Sequence, residues 1–259
     1  QLSHTAGETL RLHTSTNAKR YGVEIIRDGA NPITVFRRDG LEGQWRETPA
    51  DCSVTGCGWP VSLEIPIPDE WTSGGYIIRS FASEDERGSD THEHIFLVRP
   101  PLAANRRGRL LLIAATATWT AYNDWGGSNH YQGYFGPGGD RFSPILSIER
   151  PLAKGFVSLP PDAPRAVLLE DPPINSEPRY PHMEWAYANG YSKKYMSSGW
   201  ASFERHFVAW AEAEGYALDI ISQTDLQYRP QLIEGYACIA LVGHDEYWSW
   251  EMRDAIDAY

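Results

Sequence analysis

The run Leu110-Leu111-Leu112-Ile113-Ala114 has no polar face. A half-buried strand alternates with period two and an amphipathic helix repeats every 3.6 residues, so an unbroken apolar run needs cover on both sides. Ala166–Leu169, Ala217–Ile221 and Cys238–Val242 have the same character, which puts Cys238 in a strand expected to be buried. Helical patterns stand between the last pairs. Phe203, Phe207, Trp210 and Ala211 recur at three- and four-residue steps, and Gly215 closes that segment before Tyr216 opens the next strand. Strand, helix, strand, helix predicts a doubly wound parallel sheet. The last helix starts near Ser249 and reaches Tyr259 with no capping glycine or following strand. The expectation is that the natural protein continues, and that this α/β domain is truncated and inactive on its own.

Before that sheet, no helical period competes with short strands at Leu10–Thr14, Val23–Arg27, Ile33–Phe36, Ser62–Ile65, Gly75–Phe81 and His94–Val98. Asp28-Gly29, Asp39-Gly40 and the stretch from Pro66 to Asp69 supply turn chemistry between them. Such spacing predicts a β-sandwich, immunoglobulin-like or similar. In Gly75–Phe81 the two faces are only partly distinguished, since Tyr76, Ile78 and Ser80 alternate with Ile77, Arg79 and Phe81. Trp59, in a Gly-rich turn beside Ser62–Ile65, is expected on the sandwich core. From Arg99-Pro100-Pro101 to Arg107-Gly108 there is no apolar periodicity, so this segment reads as a linker. A chain of 259 residues exceeds the usual single core. The expected division is a β-sandwich domain at 1–105 and an α/β domain at 106–259. Prolines, glycines and aromatics from Gly126 to Tyr195 predict a long structured insertion over the sheet.

The formal charge of −11 excludes a broad electrostatic grip on nucleic acid or an anionic membrane, and leaves neutral or cationic small molecules as ligands. There is neither a run of 18 apolar residues nor a signal-peptide pattern. Cys52, Cys57 and Cys238 make no disulfide framework, and cytoplasmic residence is expected. Cys52 and Cys57 could form a bridge or half a metal site, but no second Cys/His pair stands at zinc spacing.

Two segments carry the candidate chemistry. Gly243-His244-Asp245-Glu246-Tyr247-Trp248 joins the end of a buried strand to a helix. In open α/β sheets, ligands bind outside the carboxyl ends of the strands. A plainer account is that Asp245 or Glu246 favours the positive end of the helix and that His244 is a satisfied loop histidine. Thr118-Trp119-Thr120-Ala121-Tyr122-Asn123-Asp124-Trp125 follows Leu110–Ala114 and reaches the same rim, so Tyr122, His244 and Glu246 are expected to converge. Taken alone, Tyr122 reads as a pocket-wall aromatic.

With Gly56-Cys57-Gly58-Trp59-Pro60 and Ser73-Gly74-Gly75-Tyr76, these segments resemble the large (beta) subunit family of N,N-dimethylformamidase, read here as its N-terminal portion. The resemblance implies a class I glutamine amidotransferase-like α/β domain and a mononuclear iron held by two tyrosines and a glutamate. It makes Tyr122 and Glu246 metal ligands, with His244 and Glu246 catalytic. It also implies iron-dependent hydrolysis of a small amide, with a small subunit and homo-oligomerisation as partners. The second tyrosine, expected shortly before Arg150-Pro151, is replaced by Ser143-Pro144-Ile145-Leu146-Ser147. Tyr131 and Tyr134 are the available substitutes, and spacing selects neither.

Gly243 to Tyr247 occupies the place of a nucleophile elbow but contains no Ser or Cys. No Gly-x-Gly-x-x-Gly or Gly-Lys-Ser/Thr loop is present. Glu212 and Glu214 read as a solvated helix end. The rival to an amidase is a non-catalytic binding or scaffold subunit with a vestigial pocket. A glycoside-processing pair would need Glu246 and a second acid, for which Asp124 is the candidate.

Overall fold

The computed structural model describes residues 2–82, 91–131, 143–164 and 181–259. Its first part contains strands β1 (Ser3–His4), β2 (Thr9–Leu12), β3 (Arg20–Asp28), β4 (Ile33–Glu42), β5 (Leu63–Pro66), β6 (Gly74–Ala82) and β7 (His92–Val98), with a helical turn α1 (Cys52–Thr55) before β5. β1, β7, β6, β3 and β4 form a five-stranded sheet in that order, and β2 pairs with β5 in a separate antiparallel ribbon. Each of the six strands expected from the two-residue period is present.

The ribbon lays Leu10, Leu12, Leu63 and Ile65 against Val23, Ile25, Tyr76, Ile78 and Phe96 of the larger sheet. The other face of that sheet is buried too. Ile77, Ile95 and Leu97 share a cluster with Leu112, Trp119, Trp200, Val208, Leu218 and Ile220 from the second part. Cover on both sides explains why β6 carries apolar residues at successive positions rather than at every second one.

The second part runs β8 (Leu110–Ala114), α2 (Thr116–Tyr122), α3 (Pro181–Asn189), α4 (Glu204–Ala213), β9 (Leu218–Ser222), α5 (Gln223–Tyr228), a 3₁₀ turn at Pro230–Ile233, β10 (Cys238–Leu241) and α6 (Trp250–Asp257). The three strands are parallel, in the order β10-β8-β9. Leu112 faces the cluster shared with the first part, whereas Leu111 and Ile113 pack with Ile221, Leu226, Leu232 and Met252 on the opposite side. The central run is thus covered twice, as its composition requires. β9 lies on one flank of β8 and β10 on the other, and the carboxyl ends of the strands in such an open α/β sheet are where ligands bind. The fold is therefore a β-rich part followed by an α/β part. Among the described residues no helix is long and apolar enough to cross a membrane.

Several expectations are corrected. Among the described residues β10 pairs only with β8, so it is an edge strand; Cys238 is exposed and Leu241 is 48% exposed. Apolar composition alone does not separate an edge from a centre. The stripe on α4 is Glu204, Val208 and Ala211, with Trp210 turned outward at 50% exposure, because the helix presents its small residues to the sheet. Glu212 is not merely solvated: its carboxylate accepts from Arg27 at 2.6 Å and from the Ala30 amide at 2.9 Å, tying α4 to the end of β3. The expected strand Ala166–Leu169 lies outside the described residues.

Trp59 does not enter the core between ribbon and sheet. It is half-buried, meets Trp125 edge-on with centroids 6.2 Å apart, and donates through Nε1 to the Glu47 carbonyl at 3.1 Å. Trp59→Ala is accordingly expected to cost about 1 kcal/mol, the scale of one aromatic contact, rather than the ~3–5 kcal/mol of a core ring. A denaturant melt showing a loss above roughly 3 kcal/mol would contradict this placement.

Candidate active site

α2 begins immediately after β8, and the loop from Gly243 follows β10, so both expected segments leave the sheet at one rim. They are clasped together by Gln223, fully buried at the start of α5. Its side-chain carbonyl accepts from the Ala117 amide at 2.8 Å, and its amide nitrogen donates to Asp245 Oδ1 at 2.8 Å and to the Tyr247 carbonyl at 3.0 Å. One amide thereby joins the carboxyl ends of all three strands. The Glu246 amide adds a bond to Thr118 Oγ1 at 3.1 Å.

Behind α2, the buried Glu204 accepts from the Ala115 amide at 3.1 Å and from Trp119 Nε1 at 3.0 Å. Burial pushes this carboxyl up to about 7. It fixes the turn from β8 into α2 and hence the direction of Tyr122. Asp245 Oδ1 accepts from Gln223 at 2.8 Å and from Trp248 Nε1 at 3.0 Å, and burial raises this carboxyl to about 6.

The structure brings Tyr122, His244 and Glu246 together. The ring centroids of Tyr122 and His244 are 5.2 Å apart, and His244 Nε2 lies 2.9 Å from Glu246 Oε2. His244 Nδ1 is 2.7 Å from the Ser197 carbonyl, which accepts only, so this nitrogen carries a proton and Nε2 faces the carboxylate.

A second phenol joins them. Tyr131 donates its hydroxyl to Glu246 Oε1, accepts from the Tyr247 hydroxyl at 2.8 Å, and lies with its ring centroid 4.4 Å from that of Tyr122. Asn129, fully buried, sets this pairing: its amide donates to the Tyr122 carbonyl at 3.1 Å while its Oδ1 accepts from the Tyr131 amide at 2.8 Å. Tyr134 lies outside the described residues. Arg150 of the Arg-Pro pair serves the loop by donating to the carbonyls of Asn123 at 3.0 Å and Ser128 at 3.1 Å.

Burial pushes the Tyr122 phenol up to about 12; a bond with Tyr131 opposes this and the Glu246 carboxylate reinforces it. Tyr131 is raised as well, first by burial and then by Glu246. Burial would also raise Glu246, but hydrogen bonds from Tyr131, His244 and Tyr122 bring it below its ordinary value. Two phenols and one carboxylate in contact are costly to ionise together unless a cation joins them. This oxygen-rich donor set suits a hard cation. Among the described residues no group of three or more His, Cys, Asp or Glu side chains could hold a metal.

Cys52 and Cys57 are buried free thiols rather than a bridge. Burial and the neighbouring Cys52 raise Cys57 to about 11, which disfavours its thiolate. Asp124 is raised by burial and interacts with Ser192 and with the charges of Lys193 and Lys194.

Sequence reasoning missed Gln223, Asn129 and Glu204. Gln223 directly follows a buried strand, the same placement that marked Tyr122 and His244, and that signal was available.

The model of the family described as N,N-dimethylformamidase beta subunit-like, C-terminal, matches residues 17–259. This corrects the reading of the chain as the N-terminal portion of such a subunit, since opening strands carry no mark of their place in a longer protein. No curated protein matches the chain.

Proposed function

We propose, for a chain that belongs to the N,N-dimethylformamidase beta subunit-like family, that the crevice hydrolyses a small amide, with an N-substituted formamide as the nearest class, and that Tyr122, Tyr131 and Glu246 hold a mononuclear iron. The observation that carries this reading is the contact of Tyr131 with Glu246 beside Tyr122 and His244. Iron, when bound, supplies a hard Lewis acid that polarises the amide carbonyl and acidifies water.

The protein groups divide the remaining work. Glu246 contributes the charge that two neutral phenols lack. His244, oriented by Ser197, holds Nε2 2.9 Å from Glu246 Oε2; with that carboxylate drawn onto the metal instead, Nε2 would be free to take a proton from the attacking water and return it to the departing nitrogen. A C–O bond forms, the C–N bond breaks, and the amine leaves with that proton. The rings of Tyr122 and Tyr131, with centroids 4.4 Å apart, give the reacting amide an apolar surface to lie against.

The same reading takes the β-rich part as a β-sandwich and the α/β part as amidotransferase-like. It also takes the protein as cytoplasmic and assembled with a small subunit, in keeping with a beta subunit-like family.

Elemental analysis and visible spectroscopy of the full-length protein test the proposal. The expected result is stoichiometric iron, a phenolate-to-iron charge-transfer band and turnover of small amides. Tyr131→Phe should lower the iron content and weaken the band, because one phenol remains. A metal-free protein inert toward amides would favour a binding or scaffold role instead.

A further inference from the structure

Lys194 stands over both phenols. Its ammonium lies 5.5 Å from the ring centroid of Tyr122 and 5.1 Å from that of Tyr131. The backbone that carries it is anchored: Ser192 Oγ accepts from the Lys194 amide at 3.0 Å, the Lys194 carbonyl accepts from Ser197 at 2.8 Å, and the Ser197 carbonyl receives His244 Nδ1 at 2.7 Å. The turn that fixes the histidine therefore also fixes the lysine. Tyr195 beside it is fully buried and donates to the Pro164 carbonyl at 3.0 Å.

The Lys194 ammonium has no hydrogen-bond acceptor or ion-pair partner among the described residues; its charged neighbours are Lys193, which repels it, and Asp124, which attracts it. An ammonium has three donors, and two ring faces satisfy none of them directionally. A partly buried cation with no acceptor among the described residues is costly where it stands, and an oxygen-bearing ligand over the phenols would remove that cost.

We infer that Lys194 is the acyl-oxygen donor of this crevice. It hydrogen-bonds the carbonyl oxygen of the amide, the charge that develops there during attack, and one oxygen of the carboxylate product. The inference deepens the amidase reading and rests on it for the identity of the reacting group. Lys194 keeps its proton throughout; the proton exchanged during hydrolysis is that of the water, handled by His244. The ligand class that the lysine selects is a small acyl compound whose free acid binds as an anion.

The test uses formate and acetate titrated calorimetrically into the full-length protein, its Lys194→Met and Lys194→Arg variants, and Lys194→Gln should the methionine variant fail to fold. Methionine keeps the stem over the rings and removes the charge. The expected result is a loss of about 10–100-fold in formate affinity for Met or Gln, with Arg close to the parent, the scale of one charge-assisted hydrogen bond. Amide turnover should fall through kcat more than KM, and the iron content and visible band should match the parent. Equal formate affinity in parent and Lys194→Met, or no formate binding by the parent, overturns the inference. A parent that binds formate through Lys194 but holds no iron and hydrolyses no amide keeps the anion site and removes the amidase reading, so the two failures are distinguishable.

Discussion

If the site holds iron and hydrolyses amides as proposed, Glu246→Gln is expected to empty it of metal and to reduce turnover by about 100-fold or more, since a hard Lewis acid supplies several kcal/mol to the chemical step. The carboxylate receives Tyr131 at Oε1 and faces His244 Nε2 at 2.9 Å through Oε2, so both of its oxygens are engaged. Glutamine has one oxygen. Its amide nitrogen would donate where an acceptor is needed, and the side chain would bring no charge to two phenols that burial already holds in their neutral form. His244→Ala separates the two jobs. That variant should retain most of the iron and lose roughly 10–100-fold in turnover, because the imidazole acts beside the ligands rather than as one of them. Metal analysis and single-turnover kinetics on the two variants decide the matter. If both hold iron and hydrolyse amides like the parent, the rim is structural and the chemistry lies elsewhere.

The placement of Tyr122, His244 and Glu246 was legible because position at a strand's carboxyl end is encoded locally, by an apolar run followed by polar residues. Tyr131 was not selected over Tyr134, since loop spacing carries no periodicity from which a direction can be read. Asn129 makes that selection, through two hydrogen bonds that exist only once the loop has folded back on α2. Glu212 misled for a related reason. A carboxylate near a helix end is usually solvated, and nothing local records that Arg27 and the Ala30 amide, nearly two hundred residues upstream, will meet it. Cys238 was placed in a covered strand because composition reports burial on the faces of a strand and is blind to its edges. The weak alternation in β6 held usable information: a strand with apolar residues on both faces needs two neighbours, and the second proved to be the α/β part.

Trp200→Ala is expected to cost about 3–5 kcal/mol, the range for deleting a fully buried large aromatic. The ring is 0% exposed and lies where the two parts of the chain meet. A Cβ built on Gly75 would come within 2.5 Å of it, so β6 needs glycine at that position for the indole to lie flat on the strand. Nε1 donates to Asp28 Oδ2 at 2.7 Å, and Trp119 meets the ring edge-on at 6.4 Å. Truncation would open a cavity in the shared cluster and leave the buried Asp28 with the Arg205 ion pair at 3.0 Å as its remaining charged partner. Because Ile77, Ile95 and Leu97 of the β-rich part stand in the same cluster as Leu112 and Ile220, the loss should fall on both parts at once. Denaturant melts followed by far-ultraviolet ellipticity and by tryptophan emission should then shift together. Division of the chain into units at 1–105 and 106–259 that fold independently requires the opposite: two transitions, of which Trp200→Ala lowers one. Gly75→Ala approaches the same contact from the other side and should reproduce the direction of the shift. A change below about 1 kcal/mol for Trp200→Ala would mean that the indole fills no space the fold depends on.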